Sequence, residues 1–122
     1  MTFREILEKL VEETPGAVAG AVMASDGIPV DEFQRDDADI DLAVVAVEFQ
    51  RVLEQARKAT GAVYGGGGGQ LDEMILITGR HQLLFRQLDD EFFVTVALHP
   101  QGMLGKARYL VGCLLRELQE AL

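Results

Sequence analysis

The sequence contains few of the side chains that carry out covalent or metal chemistry. Its 122 residues include one cysteine and two histidines, and Ser25 is the sole serine. Because Cys113 has no second cysteine to pair with, an internal disulfide is excluded, and a lone thiol is typical of a reducing compartment. Neither His81 nor His99 has a cysteine or a paired carboxylate at the spacing that metal ligands require. We therefore expect a protein that is not an enzyme, with no catalytic residue, no metal site and no cofactor.

Basic residues and long apolar runs are also scarce. Eleven Lys and Arg residues stand against twenty Asp and Glu, which gives a formal net charge of −9. A molecule with this charge repels nucleic acids and anionic membranes, so neither is expected as a partner. The longest apolar runs, residues 17–24 and 42–47, are far shorter than the ~20 residues that cross a bilayer. No secretion signal is visible at the N-terminus, so we expect a cytoplasmic protein with no membrane span.

The chain does contain a regular succession of helix and strand patterns. The order αββαβββα predicts an α+β fold within the broad α/β class, with five mostly antiparallel strands and helices on both faces of the sheet. We expect one domain over residues 1–122. Apolar residues at helical spacing predict helices at 3–13, 40–60 and 102–121. Short apolar segments bounded by turn residues predict strands at 17–24, 28–34, 71–78, 82–88 and 92–98.

Single residues sharpen this picture at four places. Thr2 and Glu5 form a capping box that begins the first helix. Gly20 would let a helix approach the first strand closely, and Pro29 places the second strand toward an edge of the sheet. Gly79, followed by an arginine, fits a two-residue hairpin turn with glycine first.

Five consecutive glycines, Gly65–Gly69, are the most unusual local feature. Phosphate-binding glycine loops lie before a helix, whose free amide groups and positive dipole end face the anion. Here the glycines follow a predicted helix and precede a strand, and no Lys-Ser or Lys-Thr pair follows them. We therefore interpret Gly65 as the helix cap and the other glycines as a connector, and we expect no small-molecule substrate.

Four acidic residues around the start of the second helix imitate a calcium-binding loop. Asp37, Asp39, Asp41 and Glu48 match acidic positions of that template, yet Leu42 stands where the loop needs a glycine. We attribute the aspartates instead to capping and to favourable charge at a helix N-terminus.

The second helix has more apolar surface than one domain needs. Besides a stripe that faces the core, Ala43, Val44 and Val47 project from the other side of a helical wheel. A chain of this size has few elements left to cover them, which indicates a protein interface; burial within the domain itself is the alternative. The predicted core-facing stripe consists of Leu42, Val45, Ala46, Phe49, Val52, Leu53 and Ala56.

Three stretches together resemble the Roadblock family, the dynein-light-chain-related proteins whose bacterial members include MglB-type regulators of a Ras-like gliding-motility GTPase. Residues 15–30, "PGAVAGAVMASDGIPV", resemble the family's first hairpin, and residues 102–118, "GMLGKARYLVGCLLREL", resemble its closing helix. The long apolar second helix is the third similar stretch. Each motif is a loose apolar pattern, so the combination over nearly the whole chain carries the resemblance.

The resemblance implies a profilin-like Roadblock fold and a homodimer, in which the second helices pair and the third strands join one sheet across both subunits. It also implies a Ras-like small GTPase as partner and no catalytic residue of the chain's own. The implied dimer interface consists of Ala43, Val44, Val47, Leu71 and Met74. The implied partner-binding residues are Gln50, Arg51, Glu54, Gln55 and Lys58.

The resulting functional hypothesis is a non-enzymatic homodimeric regulator or scaffold that modulates the nucleotide cycle or the localisation of a Ras-like GTPase. The alternative is a structural adaptor that dimerises and tethers larger complexes without affecting nucleotide turnover. The same apolar surface favours both hypotheses.

Overall fold

The structure, a computed structural model, describes residues 1–65, 67 and 69–122. Its five strands form a single antiparallel sheet in the order β2-β1-β5-β4-β3, which makes β2 and β3 the two edges. The predicted α+β fold and its element order are confirmed, as is the edge position of the strand that holds Pro29. The elements are α1 (Phe3–Glu13), β1 (Ala17–Ala24), β2 (Pro29–Gln34), α2 (Leu42–Tyr64), β3 (Glu73–Ile77), β4 (Gln82–Gln87), β5 (Phe92–Leu98) and α3 (Leu104–Glu120).

Helix α1 begins at the predicted capping box. The Glu5 amide donates to Oγ1 of Thr2 at 3.2 Å, and Oε1 of Glu5 accepts from the Thr2 amide at 3.2 Å. Such a cap typically stabilises a helix by ~1 kcal/mol. At Gly20 of β1, a Cβ would lie 3.4 Å from side chains of Leu7 and Val11, so the predicted close approach of a helix is confirmed.

The sheet has a buried apolar layer on each face because helices cover both sides. Phe85 and Phe93 lie in the layer on the α2 side, and the ring of Phe49 of α2 packs at a tilt against Phe85, with the ring centroids 5.9 Å apart. The layer on the other side contains the apolar faces of α1 and α3, including Leu10 and Leu114. None of the helices in the described residues is long and apolar enough to span a bilayer.

The β1–β2 turn is closed by local hydrogen bonds. Gly27 adopts a φ of 92°, a value that favours glycine, and its amide donates to the Ala24 carbonyl at 2.9 Å. Oδ1 of Asp26 accepts a hydrogen bond from the Ile28 amide at 3.1 Å. The turn is therefore held in one conformation by its own residues.

The β3–β4 turn is the predicted two-residue hairpin, with Gly79 first in its loop. The Thr78 amide donates to the His81 carbonyl at 2.9 Å and closes the loop. Gly79 does not adopt the positive φ that is typical of a glycine-first turn. Oγ1 of Thr78 accepts hydrogen bonds from the amides of Arg80 and His81, both at 3.1 Å, and so stabilises a different turn conformation.

Helix α2 is longer than predicted and ends at Tyr64 rather than near residue 60. Gly65 has a φ of 68°, and its amide donates to the Gly61 carbonyl at 3.0 Å. The predicted helix cap at Gly65 is therefore confirmed. Of the predicted connector, Gly66 and Gly68 lie outside the described residues.

The start of α2 is not capped by an aspartate side chain. Asp41 occupies the N-cap position but accepts no side-chain hydrogen bond from the helix. Oδ1 of Asp39 lies 2.7 Å from Nε2 of His81 in the β3–β4 turn. The capping role predicted for these aspartates is therefore wrong, since Asp39 is engaged by a distant histidine.

One member of the predicted core-facing stripe of α2 is also wrong. Leu42, Ala46 and Leu53 are buried, whereas 45% of Val52 is exposed. Successive residues turn by about 100° around a helix, which places Val52 on the flank of the buried face. The helical wheel therefore placed the core-facing stripe on the correct side of α2 but included one residue, Val52, that is not buried.

Candidate functional site

The outer edge of β2 is closed by the chain's own side chains. The Glu32 amide donates to Oδ1 of Asp31 at 2.8 Å, and the Glu32 carbonyl accepts from Nη1 of Arg4 at 3.0 Å. The register of β1 with β2 also shifts between Val22 and Met23, and Pro29 lies at the start of the strand. A proline, a bulge and charged residues are the devices that keep an edge strand from pairing with another chain.

The outer edge of β3 has no proline and no bulge, and its one charged residue, Glu73, is paired with Arg108 at 2.6 Å. Its register with β4 is regular from Glu73 to Ile77. The Thr78 amide donates to the His81 carbonyl and the Gln87 amide donates to the Asp72 carbonyl, both at 2.9 Å, so even-numbered residues bond across to β4. In an antiparallel strand the alternate residues, here Glu73, Ile75 and Ile77, direct their amides and carbonyls to the other side. Within the described part of the chain, no hydrogen bond reaches those groups.

Two contacts fix how α2 is rotated on the sheet. Nε2 of Gln50 donates to the Ser25 carbonyl in the β1–β2 turn. A Cβ on Gly27 of the same turn would lie 4.0 Å from Cγ1 of Val47. The side of α2 that carries Val47 and Gln50 therefore faces the β1–β2 turn. The opposite side of α2, which carries Val52 and Val63, is turned away from that turn.

The side of α2 that is turned away from the β1–β2 turn is apolar and partly open. Val52 is 45% exposed and Val63 is 75% exposed, and Ala59 between them is exposed as well. In β3, half-buried Met74 and Leu76 pack against the buried layer under α2. We call these five residues the α2–β3 surface, and its two β3 residues lie on the strand with the unpaired edge.

Comparisons with known proteins agree with this architecture. No protein-family model matches the chain, and no curated protein sequence does either. Among solved structures, the chain aligns with MglC from Myxococcus xanthus at 32% identity over 100% of both chains, with a TM-score of 0.70. The chain belongs to the Roadblock/LC7 family.

Two further Roadblock structures are similar in fold. The Roadblock/LC7 domain from Streptomyces avermitilis has a TM-score of 0.82 at 16% identity, covering 98% of this chain and 97% of that one. The gliding protein mglB from Thermus thermophilus has a TM-score of 0.82 at 16% identity, covering 96% of this chain and 85% of that one. The predicted profilin-like Roadblock fold is confirmed.

The five residues predicted to form the dimer interface of this Roadblock chain lie in three environments. Val44 is 60% exposed on the outer side of α2, away from the sheet. Val47 is 41% exposed and turned toward the β1–β2 turn, and Ala43 is half-buried on that same side of the helix. Leu71 and Met74 are half-buried and pack on the opposite part of the α2-side layer.

The predicted partner-binding residues also divide between two environments. Gln50 is half-buried and bonded to Ser25, and Glu54 pairs with Arg57 at 3.5 Å. The remaining three are exposed and lie along the outer side of α2, in line with Val44: Arg51, Gln55 and Lys58.

A cleft of about 560 Å³ lies between the C-terminal half of α2 and the β4–β5 turn. One of the residues that line the cleft is Arg86, whose Nη1 lies 3.9 Å from Oε2 of Glu73. Because charges of both signs alternate around the cleft, it has no net preference for an anion such as phosphate. Its charged lining consists of Arg57, Lys58 and Arg86 together with Glu54, Asp72, Asp89 and Asp90.

The side chain of His81 is buried and connects two segments of the chain. It is 7% exposed, and its bond to Asp39 joins the loop before α2 to the β3–β4 turn. The hydrogen bond from His81 lowers the pKa of the Asp39 carboxyl below its usual value. Among the described residues, no group of three or more His, Cys, Asp or Glu side chains is placed to hold a metal ion.

Sequence reasoning missed the exposed residues Val52 and Val63 because it assigned Val52 to the core and ended the helix before Val63. The two lie on one side of the helix, so continuing the predicted helix to the glycines would have identified Val63. The rotation of α2, which turns these residues away from the β1–β2 turn, depends on contacts with that turn and has no local sequence signal.

Proposed function

We propose that this Roadblock chain is a non-enzymatic homodimeric regulator or scaffold that binds a Ras-like small GTPase in the cytoplasm and modulates its nucleotide cycle or localisation. The observation that carries the proposal is the unpaired edge of β3 beside the exposed apolar residues of α2. A protein whose other sheet edge is closed by its own side chains has one edge left for a second chain.

In the proposed homodimer, the β3 strands of two copies pair antiparallel and the α2 helices pack side by side. Pairing would satisfy the outward amides and carbonyls of Glu73, Ile75 and Ile77, which otherwise bond to water. Covering Val52 and Val63 would stabilise the dimer by roughly 25 cal/mol for each Å² of apolar surface removed from water. With them, we retain as interface residues Ala43, Val44, Val47, Leu71 and Met74.

The single domain that we assign to residues 1–122 supplies no catalytic group to a GTPase. GTP hydrolysis depends mainly on positioning of the GTPase's own switch residues, so a bound scaffold changes the rate by ordering those segments. We assign the partner-binding surface to the outer side of α2, where Arg51, Gln55 and Lys58 are exposed. Gln50 and Glu54 border that surface.

The test is to mix the purified protein with the Ras-like GTPase of its own host, loaded with GDP or with a GTP analogue. Co-elution in at least one nucleotide state, together with a changed rate of GTP hydrolysis, supports the regulatory role. Co-elution with an unchanged rate supports a scaffold that controls localisation. No complex in either nucleotide state overturns the GTPase assignment and leaves the structural adaptor as the function to pursue.

A further inference from the structure

A second apolar surface lies at the β1–β2 turn. Ile28 is 61% exposed, and Val30 and Val47 are each 41% exposed. Val30 lies at the shift in register, where Asp31 pairs with Val22 and Pro29 pairs with Met23, so it is left out of the ladder. Val47 is one of the residues retained for the proposed dimer, whereas Ile28 and Val30 lie outside that interface and stay open in it.

The turn that presents Ile28 is held rigidly. The Ala24 amide donates to the Ile28 carbonyl at 2.9 Å, and the Ile28 amide donates to Oδ1 of Asp26 at 3.1 Å. On the other side, Gln50 of α2 holds the Ser25 carbonyl. A surface fixed in this way loses little conformational entropy when a partner binds.

Three carboxylates surround the same turn. Asp26 shares a surface depression with Asp90 and Glu91 of the β4–β5 turn. The two turns are joined by the Ser25 amide, which donates to the Glu91 carbonyl at 2.7 Å. None of the three carboxylates forms an ion pair with a side chain in the described part of the chain.

We propose that this surface docks a partner protein that presents Lys or Arg side chains around an apolar centre. We call it the tip surface and define it as Ile28, Val30, Asp26, Asp90 and Glu91. The exposed apolar side chains of this surface would pack against apolar side chains of the partner. The unpaired carboxylates would attract the Lys or Arg side chains around that contact. A second copy of this chain does not fit, because its own carboxylates would face these three and repel them.

The proposal rests on the proposed function for the identity of the partner, which is the Ras-like GTPase. It adds a contact area to the outer side of α2, since Val47 and Gln50 connect the turn to that helix. The GTPase would therefore rest on α2 and on the β1–β2 turn together. Attraction between charges of opposite sign speeds association and weakens as salt screens it.

The experiment measures the Kd between the wild-type protein and the host's Ras-like GTPase, loaded with a GTP analogue or with GDP, at about 50 and about 300 mM NaCl. Ile28→Ser removes the apolar centre, and we expect it to weaken binding by about tenfold. The triple variant Asp26→Asn, Asp90→Asn, Glu91→Gln removes the charges, and we expect weaker binding at low salt and a flatter dependence on salt.

Matched controls carry equal changes on other surfaces. Tyr109→Ser alters an exposed side chain of α3, and Glu12→Gln, Glu13→Gln, Glu117→Gln removes three exposed carboxylates far from the turn in sequence. Circular dichroism and melting curves of every variant show whether the fold is kept. The proposal expects both controls to bind the GTPase as the wild type does.

Each outcome is decisive. If the wild type binds and the two tip variants bind equally well, the tip surface is overturned while the GTPase assignment stands. If the wild type binds the GTPase in neither nucleotide state, both the GTPase assignment and this proposal are overturned. If light scattering shows that the wild type assembles beyond a dimer and Ile28→Ser abolishes this assembly, the occupant is a second copy and the charge argument is overturned.

Discussion

Nε2 of His81 lies 2.7 Å from Oδ1 of Asp39, and this contact joins the turn at the end of the β3 edge to the loop that leads into α2. The two elements that border the α2–β3 surface are thus tied at one end by a single hydrogen bond. Because this bond lowers the pKa of the Asp39 carboxyl, it makes a pH-dependent contribution to stability.

The Asp39 contribution has a definite sign. A carboxyl whose pKa is lower in the folded state stabilises the fold at pH values above its unfolded pKa, and this stability is lost as the pH falls through the folded pKa. We expect Asp39→Asn to unfold at lower urea concentration than the wild type near pH 7, and the difference to shrink as the pH falls below the ordinary carboxyl value of 3.8. Asp37→Asn, which alters an exposed neighbour, is the control. An Asp39→Asn difference that is constant with pH would show that the carboxylate charge is irrelevant.

Val52 and Val47 distinguish the two sides of α2 as dimer contacts. Both are about equally exposed, at 45% and 41%, but Val47 faces the β1–β2 turn and Val52 lies on the side of α2 turned away from it. We expect Val52→Arg to weaken the proposed dimer by about 3 kcal/mol, or roughly a hundredfold in Kd, because it would bury an unpaired charge. Val47→Arg should weaken it less. Light scattering over a concentration series measures the dimer Kd of both variants. If Val47→Arg weakens the dimer more than Val52→Arg does, the interface lies on the side of α2 that was predicted from the sequence.

Ile77 and Val30 provide a matched pair at the two sheet edges. Ile77 is 70% exposed in β3, and Val30 is 41% exposed in β2. A lysine on an edge strand opposes pairing with another strand. We therefore expect Ile77→Lys to shift the molecular mass toward monomer and Val30→Lys to leave it unchanged. If Ile77→Lys remains a dimer at micromolar concentration, the β3 edge does not pair.

Gly16 and Gly112 should respond to alanine in opposite directions. Gly16 has a φ of 85°, and an added Cβ would overlap Cα of Gly102, whereas Gly112 of α3 has nothing within 4 Å of the added atom. We expect Gly16→Ala to lower the free energy of unfolding by about 1–3 kcal/mol because backbone atoms cannot move aside cheaply. Gly112→Ala should raise it by roughly 0.5–1 kcal/mol through helix propensity. Urea unfolding monitored by circular dichroism gives both values, and a neutral Gly16→Ala would show that the two loops move apart readily.

Local patterns were sufficient for most of the fold. Apolar residues at helical spacing identified every helix, and short apolar segments bounded by turn residues identified every strand, all in the correct order. The capping box, the edge strand with Pro29 and the helix cap at Gly65 depend on one or two residues, and all three are confirmed. The capping prediction failed at Asp39 because its side chain bonds to His81 of a distant segment.

The candidate surfaces were less predictable than the fold. The sequence showed that α2 has a second apolar face, since Val44 and Val47 could not join its core stripe. It did not show which side of the helix faces the β1–β2 turn, because the contacts of Gln50 and Val47 with that turn set the rotation of the helix. The tip surface combines Asp26 with Glu91, which lie far apart in the chain and meet only where two turns are hydrogen bonded.

The sequence by itself determined the order of the elements, the fold class, the scarcity of reactive side chains and the excess of apolar surface on α2. These properties follow from composition and from the spacing of neighbouring residues. The tertiary structure decided which sheet edge stays open, because Arg4 of α1 closes β2 by bonding to Glu32 and no described residue does the same for β3. Contacts between segments distant in sequence have this effect because they form only when the helices pack on the sheet.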